Sequence, residues 1–333
     1  MSDSEKPVIL VVGGAGYIGS HMVLALRQAG YPAVILDNLS TGHRDLAGDA
    51  ELVVGDLGAP ADLDALFQRF SIGAVMHFAA SSLVGESVEQ PFKYYGNNVA
   101  GTLALLEAMQ RHGVAHFIFS STAAVYGEPE ETPIPESHPC RPTNPYGTSK
   151  YTVERMLADA AHAYGLKYTA LRYFNAAGAD PEGRAGERHQ PETHLIPLVM
   201  QVATGERDHI KVFGTDYPTP DGTCLRDYVH VADLADAHLL ALEALVAGRT
   251  GGVYNLGNST GYSVNEVIER ARTLTGHPIP VQYASRRPGD PAVLVADSTA
   301  ARRDLGWRPR FESLEAIMET AWHWHRAEAE RRG

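Results

Sequence analysis

Cysteine is nearly absent from this chain of 333 residues: Cys140 and Cys224 stand far apart, with no CxxC spacing between them. That excludes a disulfide framework and a sulfur-rich zinc site, and it fits a reducing, cytoplasmic compartment. Positive charge is also short. Lys plus Arg number 28 against 40 Asp plus Glu, a formal charge of −12, so no overall field gathers a nucleic acid or an anionic membrane face. Long apolar runs are missing too. The longest near the start, Val8–Val12, is too short for a signal segment or a membrane span and runs into glycines, so no targeting signal is expected. Internal repeats and low-complexity tracts are likewise lacking. What remains is a composition with 44% hydrophobic and 20% charged residues, enough to bury a substantial core and too apolar for disorder. At this length, two domains or one large one are expected.

Short β-branched runs alternate with longer amphipathic stretches through the first half, the pattern of a parallel sheet covered by helices on both faces. The fold class is therefore α/β, a doubly wound parallel Rossmann sheet followed by a smaller C-terminal substrate-binding domain. Strands are predicted at Val8–Val12, Ala33–Leu36, Leu52–Val54, Ala74–His77, Phe117–Ser120 and Tyr168–Leu171, each nearly continuous in apolar residues. Helices are predicted at Ile18–Gln28, Ala61–Phe70, Val99–Arg111, Tyr146–Tyr164 and, near the end, Leu314–Glu330. After about Asn175 the alternation breaks into loops rich in Gly, Pro and charge. This divides the chain into residues 1–175, a dinucleotide-binding domain, and 176–333, a substrate domain whose segment 226–257 returns to pack on the first.

The residues Gly13-Gly14-Ala15-Gly16-Tyr17-Ile18-Gly19 follow the first strand and open the first helix. Glycines there permit a tight turn and close approach of backbone, while the helix N-terminus offers free N–H groups to a pyrophosphate. Asp37 ends the second strand, 18 residues past Gly19, where a carboxylate accepts hydrogen bonds from a ribose and repels a 2′-phosphate. NAD is expected over NADP. Asp56-Leu57 after the third strand, Phe78-Ala79-Ala80 after the fourth and Asn97 at the start of the next helix are expected at the carboxyl ends of strands, the edge at which open parallel sheets bind ligands.

Tyr146 and Lys150 lie four residues apart on one predicted helix, so their side chains share a face. A phenol is a poor base at neutral pH, but a neighbouring ammonium and a cationic nicotinamide both favour its phenolate. Thr122, just past Ser120-Ser121 at the fifth strand's end, is placed to share the same substrate oxygen.

These segments resemble the extended short-chain dehydrogenase/reductases, and among them the UDP-glucose 4-epimerases. The resemblance rests on GGAGYIGSH at Gly13–His21, Asp37–Ser40, Val84–Ser87, FSSTAAVYG at Phe119–Gly127, YGTSK at Tyr146–Lys150, LRYFN at Leu171–Asn175, Phe213–Thr223, RDYVHV at Arg226–Val231, Tyr254–Gly257 and Arg286–Asp290. It covers nearly the whole chain. The glycine loop and the YxxxK spacing are shared by the broad superfamily, whereas the loop at 213–223 with its following Arg226-Asp227-Tyr228 is narrower.

The resemblance implies an NAD-dependent isomerase acting on UDP-glucose and UDP-galactose, a homodimer of galactose metabolism, with Thr122, Tyr146 and Lys150 as the catalytic group. Around NAD it places Gly13, Gly16, Tyr17, Ile18, Gly19, Asp37, Asn38, Asp56, Leu57, Phe78, Ala79, Ala80, Asn97, Ser120, Tyr146, Lys150, Tyr173 and Phe174. Around the sugar nucleotide it places Thr122, Tyr146, Asn175, His194, Leu195, Phe213, Arg226, Arg287, Asp290 and Leu294. Two arginines supply locally the positive charge that a diphosphate needs and that the chain as a whole lacks. The implied reaction oxidises the sugar transiently at C4, turns the keto sugar over and returns the hydride to its opposite face. Three positions depart from the family pattern: Ser82 and His194 stand where lysine and asparagine are common, and Leu294 where some members have tyrosine over the sugar's C2.

Related readings use the same residues. A UDP-N-acetylhexosamine 4-epimerase would differ in the pocket wall at Leu294. A 4,6-dehydratase or decarboxylase needs a further acid just after Thr122, where Ala123 and Ala124 stand, and a non-catalytic NAD sensor would not need Tyr146 with Lys150. For metals none is expected: His189 and His194 read as a solvated loop with one histidine turned to substrate, and Trp322–His325 as a helix with one buried and one exposed face.

Overall fold

The computed structural model describes residues 6–287 and 289–332. Its strands are β1 (Val8–Val12), β2 (Ala33–Asp37), β3 (Glu51–Val54), β4 (Ile72–His77), β5 (His116–Thr122), β6 (Lys167–Tyr173), β7 (Asn175–Ala177), β8 (Ile210–Phe213), β9 (Leu225–His230), β10 (Val253–Leu256), β11 (Gly261–Ser263), β12 (Val281–Ala284) and β13 (Val293–Leu294). The helices are α1 (Tyr17–Gln28), α2 (Pro60–Arg69), α3 (Val84–Glu89), α4 (Pro91–Tyr94), α5 (Gly101–Arg111), α6 (Pro145–Tyr164), α7 (Leu195–Ala203), α8 (Val231–Val246), α9 (Val264–Thr275) and α10 (Leu314–Arg332).

Seven parallel strands form the main sheet in the order β10-β6-β5-β4-β1-β2-β3. Alternation along each strand divides the core in two. Ile9, Val11, Ile35, Met76, Ile118 and Leu171 pack beneath α1 and α8, while Leu10, Val12, Val34, Leu36, Val75, Phe117 and Phe119 pack beneath α2, α5 and α6. Both faces being apolar, each strand reads as an unbroken hydrophobic run. The chain reverses its winding between β1 and β4, and the crevice there is where such sheets take their ligands.

The later residues build smaller sheets, β11-β9-β13 with β7 on β9, and β12 with β8, around a third core that includes Ile196, Met200, Val212, Tyr228, Ile268 and Met318. β10, from the same half of the chain, is the outermost strand of the main sheet beside β6. The predicted helix from Val99 has a more complex start: Tyr95–Ala100 is a π-helical turn, so Asn97 sits within that turn and not at a helix end.

Candidate functional site

The glycine turn joins β1 to α1 at the crevice. A Cβ added at Gly19 would lie 2.1 Å from the Gly13 carbonyl oxygen, so only glycine lets the helix turn back so tightly on the strand. Gly16 is the N-cap of α1 and no side chain caps the helix, which leaves the positive end of its dipole turned toward the crevice. Asp37 ends β2 alongside: its carboxylate accepts from the backbone N–H groups of Ala15 (3.0 Å) and Leu39 (2.8 Å), which fixes it at the rim of the turn. Asn38 donates to Asp56 (2.7 Å), so the turns after β2 and β3 are tied together. Gly58 also donates to Asp56, and these bonds hold that carboxyl below its usual range. Opposite, the N–H groups of Phe78 and Ala79 both donate to the carbonyl of Val12, which brings the turn after β4 up to the glycine turn. A close-approaching glycine turn, an uncapped helix start and the Asp37 carboxylate thus meet at one crevice, and these groups fit NAD.

Tyr17 and Ile18 open α1, but the Tyr17 hydroxyl is engaged elsewhere. It donates to the carbonyl of Gly178 (2.7 Å), anchoring the loop after β7 on the cradle. Asn97 donates to Asn98 (2.9 Å), and Asn98 in turn accepts from the N–H of Ser81 and donates to Ser149, linking the π turn to α6.

The sequence of α6 sets the reactive pair. Asn144 caps it, accepting from the N–H of Gly147 (2.9 Å), and Pro145 occupies the first turn. A Cβ at Gly147 would lie 2.4 Å from the carbonyl oxygen of Ala124, so the glycine lets α6 press against the segment following Thr122. That contact brings Tyr146 to Thr122: burial pushes the phenol's pKa up, and a hydrogen bond with Thr122 pulls against the rise. Thr122 itself is the last residue of β5, and its hydroxyl also accepts from the N–H of Ala124 (3.1 Å). One turn below Tyr146, the Lys150 ammonium donates to the carbonyl of Ser120 (2.7 Å) and lies 4.8 Å from the centre of the Phe119 ring. Burial pushes Lys150 down to about 7, against the attraction of Glu154. The Ser120 hydroxyl pairs with that of Tyr173. Thr122, Tyr146, Lys150, Ser120 and Tyr173 thus form one group at the carboxyl ends of β5 and β6.

A second group assembles from the later residues. Arg226 on β9 pairs with Asp290, Arg287 lies 3.9 Å over the Phe213 ring, and Arg286 lies 4.1 Å over Tyr217 while paired with Asp216. Asn175 donates to the carbonyl of Asp227 (3.0 Å), and Leu294 pairs in register with Arg226 and, like Phe174, packs against the cluster of Ala123, Val125, Tyr126 and Ile134. Leu294 therefore connects the arginine rim to the segment carrying Thr122. Leu195 opens α7, with His194 as its N-cap.

His194 and its neighbours need a correction. The loop is not simply solvated: Glu187 and Glu192 are buried, and His194 turns its ring to them, at 2.7 and 3.1 Å. Glutamate's burial was not legible because the loop's Gly and Pro content reads as exposed. The C-terminal helix, by contrast, buries Trp324 and His325 and exposes His323.

Sequence reasoning also missed what stands behind the pair. Glu154, one turn beyond Lys150, forms a buried two-pronged bond to Arg172 on β6 (2.9 and 2.5 Å) and accepts from Ser121 (2.5 Å). Arg172 also donates to the Tyr126 hydroxyl (3.0 Å), which donates to Asn255 on β10 (2.7 Å). The only signal was a glutamate on the buried face of a helix. Tyr94, packed edge-on to Tyr146 at 6.4 Å, is held by the carbonyl of Leu83 and by Glu86.

Residues 9–257 match the NAD dependent epimerase/dehydratase family. The chain is 56% identical over 318 residues to a UDP-glucose 4-epimerase of Halalkalibacterium halodurans, an alignment covering 96% of this chain and 95% of the relative. Among solved structures, it superposes on a UDP-glucose 4-epimerase from Brucella ovis in complex with NAD with a TM-score of 0.93 at 49% identity, covering 96% of this chain and 98% of that one. A UDP-glucose 4-epimerase from Bifidobacterium longum in complex with NAD+ and UDP gives 0.92 at 39% identity, again covering 96% and 98%. A sheet with a dinucleotide cradle at its switch point, a Tyr–Lys–Thr group at its rim and identity of this extent over nearly the full length lead to one conclusion: the chain belongs to the NAD dependent epimerase/dehydratase family, among the UDP-glucose 4-epimerases.

Proposed function

We propose that this enzyme interconverts UDP-glucose and UDP-galactose, with Tyr146 as the base that takes and returns the proton of the sugar's 4-hydroxyl. The observation that carries this reading is the phenol of Tyr146 beside the hydroxyl of Thr122, with Lys150 one turn below at the mouth of the cradle. NAD bound there supplies the reversible two-electron acceptor for the sugar's C4. Asp37 is suited to the adenosine ribose, the uncapped start of α1 to the pyrophosphate, and Lys150 to lowering the cost of the Tyr146 phenolate. Thr122 shares the proton's path by its hydroxyl.

Arg226 and Arg287 are suited to the UDP diphosphate, Phe213 and Leu195 to the uracil region, Asp290 to the uridine ribose and Asn175 to the sugar side. Because the firm contacts go to UDP, the hexose keeps the freedom to turn over once its C4 is a ketone, and the proton returns from Tyr146 to either configuration. His194, turned to Glu187 and Glu192, is not needed for this scheme.

We further infer a division into residues 1–175 and 176–333, with 226–257 packed back on the first part; β10 beside β6 supports it. The enzyme works in the cytoplasm as a homodimer. The groove between α5 and α6, lined by Leu103, Leu106, Met109, Met156, Ala160 and Tyr164, suits a second copy of the chain: Leu103 and Tyr164 are 47% and 68% exposed on one apolar strip. Among the described residues, no helix is long and apolar enough to cross a membrane.

The test is conversion of UDP-galactose to UDP-glucose by purified enzyme without added NAD, compared with Tyr146→Phe. The variant should retain NAD, because its ring still packs, and lose about 10²–10⁴-fold in kcat, the usual worth of one general base. Turnover near that of the unaltered enzyme would remove Tyr146 from the role.

A further inference from the structure

Outside the proposed catalytic group, the loop between β7 and α7 gathers four ligand-type side chains in eight residues, spaced Glu187-x-His189-x-x-Glu192-x-His194. One ligand atom from each lies within 4.8 Å of all the others. The two carboxylates are 4% and 3% exposed, and both imidazoles turn Nδ1 toward them. The separations are 2.7 Å from His194 to Glu187, 3.0 Å from His189 to Glu187, 3.1 Å from His194 to Glu192 and 3.8 Å from His189 to Glu192. Zinc bound tetrahedrally by nitrogen and oxygen at about 2.0–2.2 Å sets its ligand atoms roughly 3.3–3.5 Å apart. The four observed separations bracket that edge.

Charge points the same way. Arg188, between the two histidine-flanked glutamates in sequence, directs its guanidinium to Asp45 and Glu328 and so leaves the pair of carboxylates to the imidazoles. Two glutamate side chains, Glu187 and Glu192, stand side by side and buried away from water, and one divalent cation bound by both would offset their charge. The ligand set, imidazole with carboxylate and no thiolate, suits zinc better than calcium or magnesium, which prefer all-oxygen shells.

We propose that Glu187, His189, Glu192 and His194 hold one structural zinc ion. The surrounding contacts say what such an ion would steady. The ring of His189 stands edge-on to Tyr17 at 6.2 Å, His43 of the cradle's rim bonds to the carbonyl of Arg188 (2.8 Å), and Trp324 of α10 donates to the carbonyl of Glu187 (3.1 Å). The ion closes the loop at the point where the NAD cradle, the arm after β2 and the C-terminal helix meet. It is a clamp on the cradle, and no reaction step uses it.

The experiment uses the full chain, freed of any histidine tag, with its NAD retained. After chelator treatment and removal of the chelator, zinc chloride is titrated by calorimetry, and metal content is measured after gel filtration. The expected result is about one zinc per chain and a raised Tm, with binding weakened at least ~100-fold in both His189→Ala and Glu187→Gln. Glu187→Gln is nearly isosteric, and the NAD content of each variant reports whether it has folded. His323→Ala, on the exposed histidine of α10, should bind zinc as the unaltered chain does. Cobalt(II) in place of zinc should give the intense visible bands of a tetrahedral site with nitrogen and oxygen ligands. Uptake well below one equivalent, or uptake unchanged by His189→Ala and Glu187→Gln, would overturn the proposal and leave a hydrogen-bonded cluster only.

Discussion

Replacing Glu154 by leucine tests how the reactive helix is held on the sheet. Glu154 sits two turns beyond Tyr146 and one beyond Lys150, and its carboxylate receives Arg172 through two nitrogens and Ser121 through its hydroxyl. Arg172 and Glu154 are 6% and 5% exposed, so solvent can replace neither partner. Losing one member of such a pair leaves an uncompensated buried charge, which costs about 3–5 kcal/mol, and the orphaned Ser121 hydroxyl adds about 1 kcal/mol. The expected loss for Glu154→Leu is therefore roughly 4–6 kcal/mol. Removing both charges, in Glu154→Leu with Arg172→Met, returns most of it, because two apolar groups of similar volume need no desolvation; the remainder is the Tyr126 and Ser121 hydroxyls, about 1–2 kcal/mol. Urea unfolding of the four members of the cycle, followed by tyrosine and tryptophan fluorescence, reads these values. A loss below about 1 kcal/mol for the single change, or a double variant whose loss equals the sum of the singles, would refute the reasoning. Activity should follow geometry as well: the double variant keeps folded protein but loosens α6 against β5, lowering kcat more than it raises KM.

Three further outcomes follow from the same site. Lys150, buried without its own carboxylate bond, titrates at about 7 in the folded chain against 10.5 when unfolded, so the unfolded state binds more protons between those values. Stability of the NAD-free protein should rise as pH goes from about 7 to 10, by at most about 1.4 kcal/mol for each pH unit and a few kcal/mol in all, and Lys150→Met should flatten that slope; equal slopes in both would refute it. Asp37, its carboxylate fixed at the rim by Ala15 and Leu39, should make the apoprotein take NAD far better than NADP, and Asp37→Ala should narrow the gap; equal retention of the two cofactors by unaltered protein counts against the assignment. Leu294 lies between the Thr122 segment and the arginine rim, so Leu294→Tyr should lower kcat/KM for UDP-N-acetylglucosamine relative to UDP-glucose while Leu294→Cys raises it, the amide's unmet hydrogen bond setting the scale at about 1–3 kcal/mol. An unchanged ratio in both variants would take Leu294 out of the pocket wall.

Local signals account for the cradle and the reactive pair. A run such as Val8–Val12 is apolar on both faces only in a strand covered on both sides, and the glycine turn that follows it can serve little else than a close backbone approach. Tyr146 and Lys150 share a face by helix geometry alone, and Asn144-Pro145 marks where that helix must begin. The parallel sheet, its cofactor edge and the shared helix face of Tyr146 and Lys150 were therefore legible, because each depends on neighbours within a few positions, whereas the residues proposed around the sugar nucleotide came from the family resemblance alone.

What the tertiary structure decided depends on residues far apart in the chain. The bond from Glu154 to Arg172 spans 18 positions and that from Tyr126 to Asn255 spans 129, and no periodicity marks either partner. β10 lies parallel to β6 at one edge of the main sheet, a pairing of strands distant in sequence that no local pattern marks. Polar residues on a loop rich in glycine and proline look solvated in sequence; Glu187 and Glu192 became buried when α10 and Tyr17 closed over that loop. Periodicity and local motifs determine which segments become strands, helices and turns, since those choices are made by backbone sterics and one-sided burial. The pairing of buried charges is settled only when distant elements meet, because the energy that selects each pair exists only once water has been excluded from both partners.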